Sequence, residues 1–138
     1  TLTTPNIGAA TGTSLAATGA ITSSGTAGIG YATGAGGIVT QATSKATAFT
    51  LSKITGQITT AADALAAGTI VSATWTNTVI AATDIVVVTH VSGGTLGAYT
   101  INVAAGAGSA TFTLRNNTAG SLSEALVIGF AVIKGAIN

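Results

Sequence analysis

The sequence predicts an all-β fold, an antiparallel β-sandwich or jelly roll preceded by an extended N-terminal arm, and three observations predict it. Charge is nearly absent: four Lys/Arg and three Asp/Glu make up 5% of 138 residues, where an ordinary soluble domain carries about a quarter. Mean hydropathy is nevertheless +0.67, so Thr, Ser, Asn and Gly must cover the surface in place of charge. From Gly36 onward, short alternating runs are broken by Gly, Asn, Asp or Ser with no helical stretch of any length between them, which is the pattern of strands and turns.

The elements follow in order. Residues 1–33 hold only Leu2, Ile7, Leu15, Ile21 and Ile29 as larger aliphatic side chains, too few to close a core, and read as an arm that stays extended when a partner holds it. The irregular spacing of Gly8, Gly12, Gly19, Gly25, Gly28, Gly30 and Gly34 argues against a collagen repeat. Residues 34–138 form the head. Its eight expected strands lie within Gly37–Gln41, Ala46–Ser52, Gly56–Thr60, Thr69–Asn77, Asp84–Val91, Ala98–Ala104, Ser109–Asn116 and Ser123–Lys134. In Thr69–Asn77, Val71, Ala73 and Trp75 face one way and Ser72, Thr74 and Thr76 the other, because successive side chains alternate across a strand. Ala110, Phe112 and Leu114 repeat this against Thr111, Thr113 and Arg115. Only Ala61–Ala67 has a helical look, and it is too short for more than one or two turns. Strands without intervening helices predict antiparallel pairing.

Two runs break the alternation. Ile85 to Val88 and Ala125 to Ile133 are apolar on both faces, whereas a sandwich strand should have one wet face. Either an arm or loop covers them, or the second face meets another subunit. The second is expected here, since a chain so poor in charge has little else to keep apolar patches apart. Leu126, Ile128, Phe130, Val132 and Ile133 are the expected interface residues, with the small Ala125, Gly129 and Ala131 allowing close approach about a symmetry axis.

The inventory leaves little room for catalysis. His90 is the only histidine, and a triad would need it beside Asp63, Asp84 or Glu124 with no nucleophile elbow to aim a serine. One His, no Cys and three scattered carboxylates do not make a structural zinc site. No enzyme activity, cofactor or metal is expected. A weak hard-cation site at Asp63 or Asp84, and a carboxylate pair drawn from Asp63, Asp84 and Glu124 for glycoside cleavage, are the remaining chemical alternatives. Gly28 to Gly34 lacks the glycine spacing and strand-to-helix context of a dinucleotide loop. Asn116-Asn117-Thr118 satisfies the N-glycosylation pattern, which also arises by chance. The Thr-x-Thr pairs around Trp75 and Phe112 recur at no fixed period, against an ice-binding array.

Partners are bounded in the same way. A net charge of +1 without a basic cluster offers no footprint for nucleic acid. The most apolar stretch, Leu126 to Ile133, is far shorter than the ~20 residues of a spanning helix, so no membrane insertion is expected. No signal peptide is legible, and a start without Met suggests a processed chain or part of something longer. Trp75, Phe112 and Phe130 read as core, while Tyr31 and Tyr99, beside glycines near turns, are the candidates for surface contact together with Asn116 and Asn117.

The opening TLTTPNIGAATGTSLAATGAITSSG resembles the Ala/Gly/Thr/Ser-rich fibrous segments of tailed-bacteriophage fibre proteins. The body, in GYATGAGGIVTQATSKATAFTLSKITGQIT, AATDIVVVTHVSGG and AGSLSEALVIGFAVIKG, resembles a domain at the C-terminal ends of phage virion proteins. The resemblance implies a homotrimeric fibre head on the particle exterior. Residues 1–33 would contact other virion proteins, and the distal turns, Gly93-Gly94 and Asn116-Asn117 among them, a host surface glycan. A capsid decoration protein is the close variant, and a glycan-binding or glycan-cleaving domain, built from Tyr31 or Tyr99 with Asp84 or Glu124, the more distant one.

Overall fold

In the computed structural model, residues 17–23, 25–26 and 28–137 are described. Leu2, Ile7 and Leu15 of the expected arm lie outside the described residues. The chain divides between Gly30 and Tyr31, and Tyr31–Asn138 forms one unit. Its strands are β1 (Gly36–Thr40), β2 (Phe49–Thr50), β3 (Thr55–Thr59), β4 (Ile70–Thr76), β5 (Ile85–Ser92), β6 (Tyr99–Gly106), β7 (Ser109–Asn116) and β8 (Val127–Ile133). Each expected run thus carries one strand.

Two four-stranded sheets pack as a sandwich: sheet A in the order β1-β3-β8-β5 and sheet B in the order β2-β4-β7-β6. The expectation of uniform antiparallel pairing, and with it the jelly roll, is corrected. β1 pairs with β3, and β2 with β4, in parallel, while the other four pairings are antiparallel. The cause lies in the connections. Every link between consecutive strands except β6–β7 crosses to the opposite sheet, so β3 returns to sheet A alongside β1 through a crossover long enough for parallel pairing. The one hairpin, β6–β7, turns through Ala107-Gly108, where Gly108 takes φ +70°, a conformation glycine adopts without a Cβ clash.

The core follows from strand alternation. Trp75 and Phe112 from sheet B meet Ile58, Ile128, Phe130 and Val132 from sheet A, all at most 5% exposed. Trp75 lies edge-on to Phe130 with ring centroids 4.6 Å apart and stacks on Phe49 at 6.0 Å. Its indole N–H donates to the Leu51 carbonyl at 3.1 Å, satisfying the one polar atom that its burial would otherwise strand.

The helical expectation for Ala61–Ala67 is also overturned. Leu65 exchanges backbone hydrogen bonds with Leu122, at 2.9 and 3.1 Å. The Lys45 ammonium takes the carbonyls of Ala61 and Asp63, and the Asn116 amide takes that of Leu65 at 2.9 Å. The carbonyls that a helical turn would use are bound to distant residues instead, and local propensity yields to tertiary pairing.

Candidate functional site

Both sheets present one face to the core and one outward, and the outer faces differ. On sheet B the outward positions of β4, β6 and β7 carry Ser72, Thr74, Thr76, Thr100, Asn102, Thr111 and Thr113, with Ile70 and Arg115 opposite each other at one end. On sheet A the outward rows are Ile38–Gln57–Gly129–Thr89 and Gly36–Thr55–Ala131–Val87, and Ile85 stands opposite Ile133. Ile38 is 81% exposed, Ile85 60% and Ile133 52%, with Val87 and Val91 at 49%.

Gly129 and Ala131 lower the middle of the sheet A face into an open groove of about 300 Å³, walled by Thr55 and Gln57 on one side and Val87 and Thr89 on the other. No strand of sheet A contains a charged residue. The charges lie elsewhere: Arg115 on sheet B, Lys45, Lys53, Asp63, Asp84 and Glu124 in the connections, and Lys134 just after β8. This face is the candidate functional site.

The expected interface residues fall on the wrong side of their strand. Leu126, Ile128, Phe130 and Val132 are at most 5% exposed within a single chain, where they fill the sandwich. Only Ile133 of that set faces outward. The outward phase of β8 is Val127, Gly129, Ala131 and Ile133, so the doubly apolar run does have a second apolar face, made of smaller residues.

The expected surface contacts separate. Tyr31 is 45% exposed and its hydroxyl donates to the Val132 carbonyl. Asn117 is exposed and its amide donates to the Thr100 hydroxyl at 2.9 Å. Asn116 is corrected: it is fully buried, its amide donating to the carbonyls of Leu65 and Gly120 while its oxygen accepts from Thr118. That amide is consumed in holding two loops together, so it offers neither a receptor contact nor a glycan acceptor.

Tyr99 and Glu124 come together, as the glycan alternative required. The Tyr99 hydroxyl is buried beside the Glu124 carboxylate without completing a hydrogen bond to it, and burial first and the neighbouring anion second push its pKa up to about 12. Glu124 is held below the usual carboxylate range chiefly by the Thr95 N–H, which donates to it at 2.6 Å.

Asp84 accepts from the N–H groups of Ala81 at 2.8 Å and Gly135 at 3.1 Å and pairs with Lys134, which together hold it below the usual range, Ala81 contributing most. Both its oxygens are engaged. Asp63 binds the Lys45 N–H at 2.8 Å, and the His90 ring bonds the Gly93 carbonyl at 2.6 Å beside the β5 bulge. No group of three or more His, Asp or Glu that could hold a metal ion occurs among the described residues. None of these residues lies on the sheet A face.

Sequence reasoning flagged the runs that build this face but missed Ile38, whose strand GGIVT looks ordinary, and chose the larger side chains of β8 over the smaller ones. No protein-family model, curated protein or solved structure matches the chain.

Proposed function

We propose that this chain is a structural protein of a tailed-phage virion: a homotrimeric fibre head on the particle exterior, attached through residues 1–33 and presenting the sandwich of residues 34–138 to the host surface. The observation that carries the reading is the charge-free outer face of sheet A with Ile38, Ile85, Val87, Val91 and Ile133 exposed on it, since exposed aliphatic side chains gathered on one face mark a protein contact. The resemblance of the opening segment and of AGSLSEALVIGFAVIKG to phage virion proteins supplies the setting. The proposed role is assembly and adhesion, with no enzymatic step.

A capsid decoration protein uses the same body differently, laying the sheet A face on coat subunits. Immunogold labelling of intact particles with antibody to the sandwich separates the two. Gold at fibre tips is the expected result; gold spread over capsid faces selects the decoration reading, and unlabelled particles overturn both.

A further inference from the structure

We infer that the outer face of sheet A is where copies of this chain meet, the occupant of the groove over Gly129 and Ala131 being an apolar ridge of a second copy. The inference rests on the homomeric part of the proposed function and assigns it a surface.

Three features point to a copy over a foreign partner. The first is charge. An ordinary protein surface would bring carboxylates and ammonium groups against a face that has no counter-charge to offer, and desolvating them unpaired is costly. The strands of sheet A carry none, so two copies can press together without stranding a charge.

The second is relief. Val87 and Ile85 stand up along the edge strand β5, whereas Gly129 and Ala131 leave the neighbouring strand low. Ridge and groove on one surface let copies interlock in a ring: β5 of one copy can settle into the groove of a second while its own groove receives the ridge of a third. Closed symmetric contacts are built in this way.

The third is area. Strands of five, five, eight and seven residues, at ~3.3 Å rise and ~4.8 Å spacing, give a face of about 400 Å² in projection. Two such faces reach about 800 Å² before side-chain relief is counted, the size of a weak contact below the roughly 1,000 Å² at which stable specific interfaces begin. An association of this size is reversible and falls apart on dilution.

The test is the solution mass of the full chain by light scattering over a dilution series, for the native protein, Val87→Lys, Ile38→Lys and the control Thr74→Lys on sheet B. The native chain and Thr74→Lys are expected at a multiple of 13.1 kDa, and Val87→Lys and Ile38→Lys at 13.1 kDa itself. Unchanged far-ultraviolet circular dichroism shows that the variants remain folded. A monomeric native chain overturns the inference, and so does a Val87→Lys protein that keeps the native mass. Either result leaves the particle location to immunogold labelling, while unlabelled particles alongside charge-sensitive assembly would overturn the virion reading and keep this interface.

Discussion

The two outer faces of the sandwich cover one shared core, yet sheet B turns mostly hydroxyls outward while sheet A mixes Thr55, Gln57 and Thr89 with exposed Ile38, Ile85, Val87, Val91 and Ile133. On sheet B the alternation Val71-Ser72-Ala73-Thr74-Trp75-Thr76 puts every apolar residue inward and every hydroxyl outward. On sheet A, β5 and β8 keep the same inward set but place Ile85, Val87, Val127, Gly129, Ala131 and Ile133 outward. The fold needs only the inner half of each pattern. The outer half is free to specify something else, and its asymmetry is the ground on which a contact is proposed for sheet A.

The largest expected effect removes the part common to both faces. Trp75→Ala deletes the ring that touches Phe49 and Phe130 and spans the two sheets, at a cost of about 3–5 kcal/mol. Because total stability is of order 5–15 kcal/mol, the midpoint in chemical denaturation should fall by about a fifth or more. A loss below about 1 kcal/mol would mean that the sheets are held together elsewhere.

A second substitution separates the faces. Gly56 in β3 lies directly opposite Gly37 in β1, with φ +151°, and a Cβ there would meet the Gly37 carbonyl oxygen at 2.0 Å. Gly56→Ala must therefore push β1, which carries Ile38, off the edge of sheet A. The expected cost is about 1–3 kcal/mol. Hydrogen exchange should accelerate in Gly36–Thr40 and leave β4, β6 and β7 protected. Equal acceleration in both sheets would show that they do not open separately.

These two cases also mark how far the sequence could be read. The eight strands, the aromatic core and the unusual second face of β5 and β8 are all legible, because period-2 patterning is local information. Pairing direction is not, since it depends on which sheet each connection crosses to, and the residues of 41–54 say nothing of that by themselves. The helical look of Ala61–Ala67 fails for a related reason: its carbonyls go to Lys45, Leu122 and Asn116. The phase of β8 could have been read from side-chain volume. Leu126, Ile128 and Phe130 are the bulky alternates that fill an interior, while Gly129 and Ala131 are small enough to form the floor of a groove.

A smaller effect comes through pH. Asp84 precedes β5 and Lys134 follows β8, so their pair, with the Ala81 and Gly135 N–H groups, clasps the two strands that carry most of the sheet A face. The Asp84 pKa is lowered in the folded chain, so its contribution is present above the ordinary carboxylate value of 3.8 and is lost as pH falls through the depressed one. Between about pH 5 and pH 2 the thermal midpoint should decline, with exchange in β5 rising before exchange in β7. Asp84→Asn should flatten that decline; an unchanged acid limb would remove Asp84 from the account.

The smallest expected effect on stability tests what the asymmetry itself does. Thr74 and Thr111 stand opposite each other in the middle of the sheet B face and point to solvent. Replacing both with Val keeps shape and β-branching, and exposed substitutions of this kind stay within about 0.5 kcal/mol each. The result is an apolar patch on sheet B beside the exposed Ala104, which pairs with Thr111. If exposed aliphatic area were enough to drive assembly, the double variant would gain mass in light scattering beyond the native chain. The native mass is expected instead, because the proposed association uses a ridge entering the groove over Gly129 and Ala131 of sheet A and not exposed aliphatic area alone.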